Sequence, residues 1–171
     1  MRQLLAALLL TTLFAGTAAA EVSTAIPSNG SGDIDVYGGP YSVFRDPKDR
    51  SVEFGAEYRW ADQWNGIRPT IGIMANTDRA VYPYAGIYWD LPLGTAPFVI
   101  TPGVAVGLYD HGNSKPLGSA IEFRDTIEAT YRFNDGERLG AQLTHMSNAS
   151  IGNKNPGVES YQIIYSHPFS W

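Results

Sequence analysis

The sequence predicts an all-β protein, specifically an eight-stranded antiparallel transmembrane β-barrel. Eight stretches of strand length alternate apolar and polar residues, and no convincing helix follows the amino-terminal leader. The chain is rich in turn-forming glycine and in aromatic residues, with 18 Gly, 10 Tyr, 7 Phe and 4 Trp. Its mean hydropathy is nevertheless −0.16, a value typical of soluble proteins. A membrane barrel combines these properties because only every second residue of a strand meets lipid.

The first twenty residues predict a cleaved secretory signal. Arg2 precedes a long apolar run, and the segment 1–20 ends on three alanines, a pattern that signal peptidase accepts. An uncleaved anchor is the alternative, because a run of this length almost spans a bilayer. Cleavage would leave a chain that starts near Glu21 and has 151 residues (171 minus 20), which predicts a single domain over 21–171.

The net charge and the lack of cysteine limit the classes of function and the sources of stability that fit this sequence. Losing Arg2 changes the formal net charge from −5 to −6, which argues against a nucleic-acid partner. The chain has no cysteine, so disulfides cannot stabilise this exported domain, and a membrane would supply another source of stability.

The strands follow one another at short intervals, separated by clusters of turn-forming residues. The predicted strands are 33–44, 51–60, 67–76, 80–91, 97–109, 120–133, 139–147 and about 158–171. In the second strand, Val52 and Phe54 share a face opposite Glu53, Glu57 and Arg59. The sixth strand alternates in the same way, and only Asp125 falls on its apolar face.

Two kinds of barrel fit this pattern: a soluble lipocalin-like calyx with an apolar lumen, or an outer-membrane barrel with an apolar exterior. Three features favour the membrane. Glu and Arg mix on the polar faces, as in a narrow interior where charges pair. The last strand ends in Trp171, which resembles the assembly signal of bacterial outer-membrane barrels. Tyr and Trp cluster at strand ends, as in interfacial girdles: Tyr58, Trp60, Tyr88, Trp89 and Tyr131.

The seventh strand carries a candidate catalytic group. An even strand number puts both termini on the periplasmic side, so His145 and Ser147 lie at the outer end, in phase with the lipid-facing Leu143. If the loop is centred on Gly152, facing residue numbers sum to 304 and His145 opposes Glu159. A hydroxyl, an imidazole and a carboxylate on one face suit nucleophile, base and orienting acid.

Each of these residues also has an ordinary structural explanation. Serine at a strand end is commonly a turn former, histidine near the interface is commonly an amphipathic rim residue, and a glutamate beside a loop is commonly solvated. Asp110 and His111 suggest a metal or acid–base pair, but a turn explains them better, since no third ligand has a fitting spacing.

The motif His145-Met146-Ser147-Asn148, followed by Glu159, resembles the H-x-S-N motif and following Glu of the PagL family, outer-membrane lipid A 3-O-deacylases. The resemblance implies Ser147 as nucleophile, His145 as base, Glu159 as orienting acid and Asn148 as an oxyanion donor. It implies lipid A, in lipopolysaccharide of the outer leaflet, as the substrate and the ester-linked 3-hydroxyacyl chain at position 3 as the group removed. It implies neither a metal nor an organic cofactor.

The sequence alone leaves several interpretations of the loops, the oligomeric state and the function open. Lys154, with Arg45, Lys48 and Arg50, could contact lipid A phosphates or simply be solvated. A homodimer is compatible with the barrel. A non-catalytic structural or adhesive barrel, or another outer-membrane lipid esterase or acyltransferase, would fit the same strand pattern.

Overall fold

The computed structural model describes residues 32–44, 46–61, 63 and 65–170. The predicted signal 1–20, Arg45 and Trp171 therefore lie outside the described residues. The eight long strands are β1 Gly32–Tyr41, β2 Ser51–Trp60, β3 Ile67–Asn76, β4 Val81–Trp89, β5 Phe98–Leu108, β6 Ile121–Arg132, β7 Arg138–Ser147 and β8 Val158–Phe169. A two-residue strand, Leu91–Pro92, continues β4 along β5, and one 3₁₀ turn, Pro47–Asp49, lies between β1 and β2.

The strands form one closed antiparallel sheet. Each strand pairs with its neighbours in the chain, β1 also pairs with β8, and the pairing of β4 with β5 completes the ring. Closure removes the exposed edges that an open sheet of this size would carry. The predicted eight-stranded antiparallel barrel is confirmed.

The two faces of the sheet differ as the alternation predicted. Val52 and Phe54 of β2 point outwards and are each 53% exposed, whereas Glu53, Glu57 and Arg59 are buried inside. An apolar exterior with a charged interior is the arrangement of a membrane barrel and the reverse of a calyx. Apolar side chains continue around the outer surface, among them Ile71, Ile87, Val104, Phe123, Leu139 and Ile163.

Paired charges fill the interior. Nε of Arg59 lies 3.0 Å from Asp35, one of its terminal nitrogens lies 3.1 Å from Glu128, and its guanidinium also contacts Glu57. The guanidinium stacks over the ring of Tyr88, 3.9 Å from its centroid. Nearer the short loops, Arg68 and Arg138 both contact Asp33 and Asp90. Compensation of this kind is what allows so many charged groups to be buried.

Tyr88 corrects one prediction. The sequence suggested that it belongs to an interfacial girdle, but it is only 2% exposed and lies inside the barrel. Its hydroxyl and ring both have interior partners, Glu57 and Arg59. Tyrosine suits either environment because its ring is apolar and its hydroxyl can donate a hydrogen bond.

The first strand ends earlier than predicted. β1 stops at Tyr41 because Ser42 adopts a positive φ of 62°, which turns the chain before Phe44. The backbone N–H of Val43 then donates to the carbonyl of Glu159 at 3.0 Å. Within the described residues, no helix is long and apolar enough to cross a membrane.

Candidate active site

His145 and Ser147 lie at the loop end of β7 and face outwards. Gln142, Thr144 and Met146 point into the barrel and are buried, so the intervening residues must occupy the other face of the pleat. The two candidate side chains share that outer face, and their Cα atoms are separated by about 6.6 Å, twice the rise per residue of a strand. An imidazole that leans along the strand can reach a hydroxyl across this gap.

Glu159 lies beside His145 on the next strand. The two residues are directly opposed in the β7–β8 ladder, with Leu143 opposite Tyr161 one step further from the loop. Nδ1 of His145 is 3.3 Å from Oε1 of Glu159. The side chain of Glu159 is 19% exposed, compared with 41% for His145, so the carboxylate lies in the more sheltered position. The register predicted from the sequence is confirmed.

Strand β6, which pairs with β7 on the side away from β8, contributes two further neighbours of His145 and Ser147. On β6, Phe123 is opposite Ser147, and Asp125 is opposite His145. Both β6 residues are exposed on the outer face. The sequence singled out Asp125 only as a break in the alternation of its strand, since a single strand does not reveal which residue it meets on the neighbouring one.

Asn148 follows the candidate nucleophile and is fully buried. Its side-chain amide donates to the carbonyls of Leu117 and Lys154, both at 2.8 Å, while its Oδ1 accepts from the backbone N–H of Ser150 at 2.9 Å. Both hydrogens of the amide therefore have acceptors in the loops. This side chain joins the loop before β6 to the loop before β8, and the oxyanion role that the sequence predicted for Asn148 stays a prediction.

Two glycines allow these loops to meet. Gly118 has a φ of +97°, and a Cβ atom there would lie 2.2 Å from the carbonyl oxygen of Lys154. At Gly152 a Cβ atom would lie 2.4 Å from the carbonyl oxygen of Gly118. Any larger residue at either position would push the loops apart. The segment just after Ser147 is therefore held by contacts from two loops.

A model of the lipid A 3-O-deacylase family PagL matches residues 41–168, which is 128 of the 171 residues. The chain belongs to the PagL family. The matched region contains β2 to β7, β8 without its last residue and only the last residue of β1, and it includes His145, Ser147 and Glu159.

Two curated relatives agree with this assignment. The lipid A deacylase PagL of Pseudomonas aeruginosa is 34% identical over 92 residues, covering 52% of this chain and 48% of that protein. The lipid A deacylase PagL of Bordetella bronchiseptica is 28% identical over 123 residues, covering 71% of this chain and 63% of that protein. The chain thus spans about half to two thirds of the length of these PagL relatives.

Solved structures agree on the fold. The outer membrane enzyme PagL has a TM-score of 0.58 at 20% identity, covering 80% of this chain and 99% of that structure. Neisserial surface protein A has a TM-score of 0.63 at 11% identity, covering 82% and 98% respectively. At identities this low, the similarity shows a shared barrel fold and nothing beyond it.

Cationic side chains surround the loop end of this PagL-family barrel. Lys154 is exposed in the loop that follows Ser147. Lys48 lies 3.3 Å from Asp46, and Arg50 is exposed beside it. Lys115, which the sequence did not single out, donates to the carbonyl of Gly157 at 3.0 Å. Of these cationic residues, Lys154 is the nearest to Ser147 in the sequence.

The remaining candidate pair, Asp110 and His111, forms a turn. Oδ1 of Asp110 accepts from the backbone N–H of Gly112 at 3.1 Å, and the carbonyl of His111 accepts from Ser114 at 2.7 Å. These contacts explain the two residues as loop formers.

Proposed function

We propose that this protein is a lipid A 3-O-deacylase of the bacterial outer membrane, in which Ser147, His145 and Glu159 form the catalytic triad. The observation that carries the proposal is the 3.3 Å approach of His145 to Glu159 on the outer face of the barrel, with Ser147 two residues along the same face. Membership of the PagL family supplies the substrate class, lipid A, and the ester at position 3.

The reaction proceeds in two steps. Nε2 of His145 takes the proton of Ser147 as the serine oxygen attacks the carbonyl carbon of the 3-hydroxyacyl ester. The tetrahedral intermediate collapses by breaking the bond to the sugar oxygen, which receives the proton from the imidazolium. Water, deprotonated by His145, then attacks the acyl-serine, releases a free 3-hydroxy fatty acid and restores Ser147. Glu159 orients the imidazole and stabilises its protonated form throughout.

The developing oxyanion needs hydrogen-bond donors near Ser147. The amide of Asn148 donates to two loop carbonyls, so we assign the donor role to a backbone amide of the following turn. The backbone N–H of Ser150 donates to Oδ1 of Asn148, and that of Ile151 donates to the carbonyl of Asn148. Within this turn the donor is therefore the backbone N–H of Ala149, a residue with a positive φ of 51°. In this scheme Asn148 contributes by holding the turn in shape.

Access to the site requires no pore. A triad on the lipid-facing surface meets a membrane lipid by lateral diffusion, and its position beside the long loops places it at the level of the outer leaflet. Lys154 then lies where it can contact a phosphate or core sugar of the bound lipid. All three catalytic groups come from one chain, so a homodimer is not needed for the chemistry.

Mass spectrometry of lipid A tests the proposal. Lipid A from cells that lack their own deacylase is compared after expression of the wild type, Ser147→Ala or Thr95→Ala. Thr95 is the control because it is an exposed hydroxyl residue in a short turn at the opposite end of the barrel. We expect the wild type and Thr95→Ala to remove one 3-hydroxyacyl group, and Ser147→Ala to remove none.

Other outcomes identify the alternatives. Identical, fully acylated spectra from all three strains would overturn the deacylase proposal and favour a structural or adhesive barrel. Loss of a phospholipid acyl chain, or gain of an acyl group on lipid A, would instead indicate a phospholipase or an acyltransferase at the same serine.

A further inference from the structure

Asp125 is an ionisable residue on the surface that otherwise meets lipid. Along β6, Glu122, Arg124 and Glu128 point inwards and are buried, whereas Asp125 is exposed on the outer face between Phe123 and Ile127. A carboxylate on the lipid-facing side of a barrel is costly, so an ionisable residue there usually has a partner or a role.

The pairing of β6 with β7 shows which residue lies beside Asp125. Asp125 is directly opposite His145 in the β6–β7 ladder, and His145 is directly opposite Glu159 in the β7–β8 ladder. Opposed side chains have Cβ atoms about 4.5–5.5 Å apart. The imidazole therefore lies in the middle of a row that crosses three adjacent strands, with a carboxylate on each side.

Among the residues that the structure describes, few other ionisable groups face this row. The two strands bonded to β7 contribute Asp125, Glu159 and, one step further from the loop, Tyr161 on the outer face. Arg124 points into the barrel, where its guanidinium donates to the hydroxyl of Tyr37 at 2.9 Å. Lys154 is exposed in the loop above. The charges beside the imidazole are thus predominantly negative.

We propose that Asp125 is a positioning residue for His145: from the side opposite Glu159, it centres the imidazole and stabilises the imidazolium formed when Ser147 gives up its proton. This inference rests on the proposed deacylase function. Glu159 approaches Nδ1 of the imidazole from β8, whereas Asp125 lies on β6, on the other side of β7. Charge interactions at such distances are stronger beside lipid than in water, because the effective dielectric constant is lower.

The electrostatic role predicts a particular change in the pH dependence of the reaction. Neutralising Asp125 removes one of two negative charges that favour the protonated imidazole. The acidic limb of the profile of kcat against pH is then expected to move to lower pH. A purely structural role would not move this limb.

The test measures release of 3-hydroxy fatty acid from purified lipid A in detergent micelles by the wild type, Asp125→Asn and Asp125→Glu. We expect Asp125→Asn to lower kcat about 10- to 100-fold with little change in KM, and to move the acidic limb down by roughly half to one pH unit. Asp125→Glu retains the charge, so its acidic limb should stay near that of the wild type. Asp135→Asn, an exposed aspartate in the turn before β7, is the matched control and should behave as the wild type.

Folding is checked by the heat-dependent shift in gel mobility, and Asp125→Ser replaces the Asn variant if that variant does not fold. Removal of a lipid-facing charge should leave the barrel at least as stable. A neutral, folded variant with unchanged kcat, or with reduced kcat and an unmoved acidic limb, would overturn the inference. Comparison with Ser147→Ala distinguishes the two proposals. If Ser147→Ala is inactive and Asp125→Asn is fully active, the deacylase function is supported and only the proposed role of Asp125 is overturned.

Discussion

His145 of β7 and Glu159 of β8 are directly opposed in the antiparallel ladder, and Nδ1 of His145 lies 3.3 Å from Oε1 of Glu159. The backbone of Glu159 is held as well, because its carbonyl accepts from Val43 in the loop that follows β1. The carboxylate is thus carried by a strand that is bonded on both sides. A rigid support of this kind suits the role proposed for Glu159, which is to orient the imidazole of His145.

Replacing Glu159 by Gln should lower kcat by roughly 10²- to 10⁴-fold. Glutamine keeps the size of the side chain but can favour the wrong imidazole tautomer and does not stabilise the imidazolium. Fatty-acid release from lipid A in micelles measures the effect. Glu137→Gln is the control, since Glu137 makes a similar contact with His167, 3.0 Å away at the opposite end of the barrel. Equal activity of Glu159→Gln and the wild type would contradict the triad.

Replacing Asn148 by Ala should loosen the loops beside the proposed nucleophile, Ser147. The carbonyls of Leu117 and Lys154 would lose their donor, at a cost of about 1–3 kcal/mol for each group left buried without a partner. We expect faster proteolysis of the loop and a roughly 10- to 100-fold lower kcat, because small displacements of a nucleophile have large effects. Asn153→Ala, at an exposed position of the same loop, should have neither effect. If Asn148→Ala lost activity while the loop stayed fully protected, a direct chemical role for Asn148 would be favoured instead.

Alternation of residue types was sufficient to predict much of the site. Successive side chains of a pleated strand point to opposite faces, so the pattern of β7 already placed His145 and Ser147 outside. Taking the loop between β7 and β8 as centred on Gly152 then fixed how these strands pair, and the predicted opposition of His145 and Glu159 is confirmed. These features depend on neighbours in the chain, which a sequence displays directly.

The features that sequence reasoning missed depend on distant contacts. The amide of Asn148 bonds to Leu117, 31 residues earlier, and contacts between loops leave no periodic signal. Tyr88 was assigned to the wrong face because β4 alternates tyrosine with apolar and small residues, and tyrosine is compatible with lipid interfaces and with a polar interior. Asp125 was recognised as irregular, but its partner became evident only with the register of β6 and β7.

Replacing Arg59 by Met should destabilise the barrel strongly. The change leaves the buried carboxylates of Asp35, Glu57 and Glu128 without their shared cation. Removing one partner of a buried ion pair typically costs about 3–5 kcal/mol. The folded fraction, measured by heat-dependent gel mobility across a urea series, should fall at lower urea than in the wild type. Arg50→Met, at an exposed loop position, should leave the midpoint unchanged, and an equal midpoint for both variants would contradict the interpretation.

Replacing Lys154 by Ala should weaken substrate binding without impairing the chemistry. Its side chain is exposed and carries no catalytic group, so its contribution is a solvated contact with a phosphate, worth about 0.5–1 kcal/mol or a two- to fivefold increase in KM. The effect should shrink as salt is added, because an exposed charge pair is screened. Dephosphorylated lipid A provides the matched substrate, on which the wild type and Lys154→Ala should have the same KM. Lys154→Arg keeps the charge and should resemble the wild type on both substrates. A KM difference that persists on dephosphorylated lipid A would show that Lys154 acts through the loop conformation and not through the phosphate.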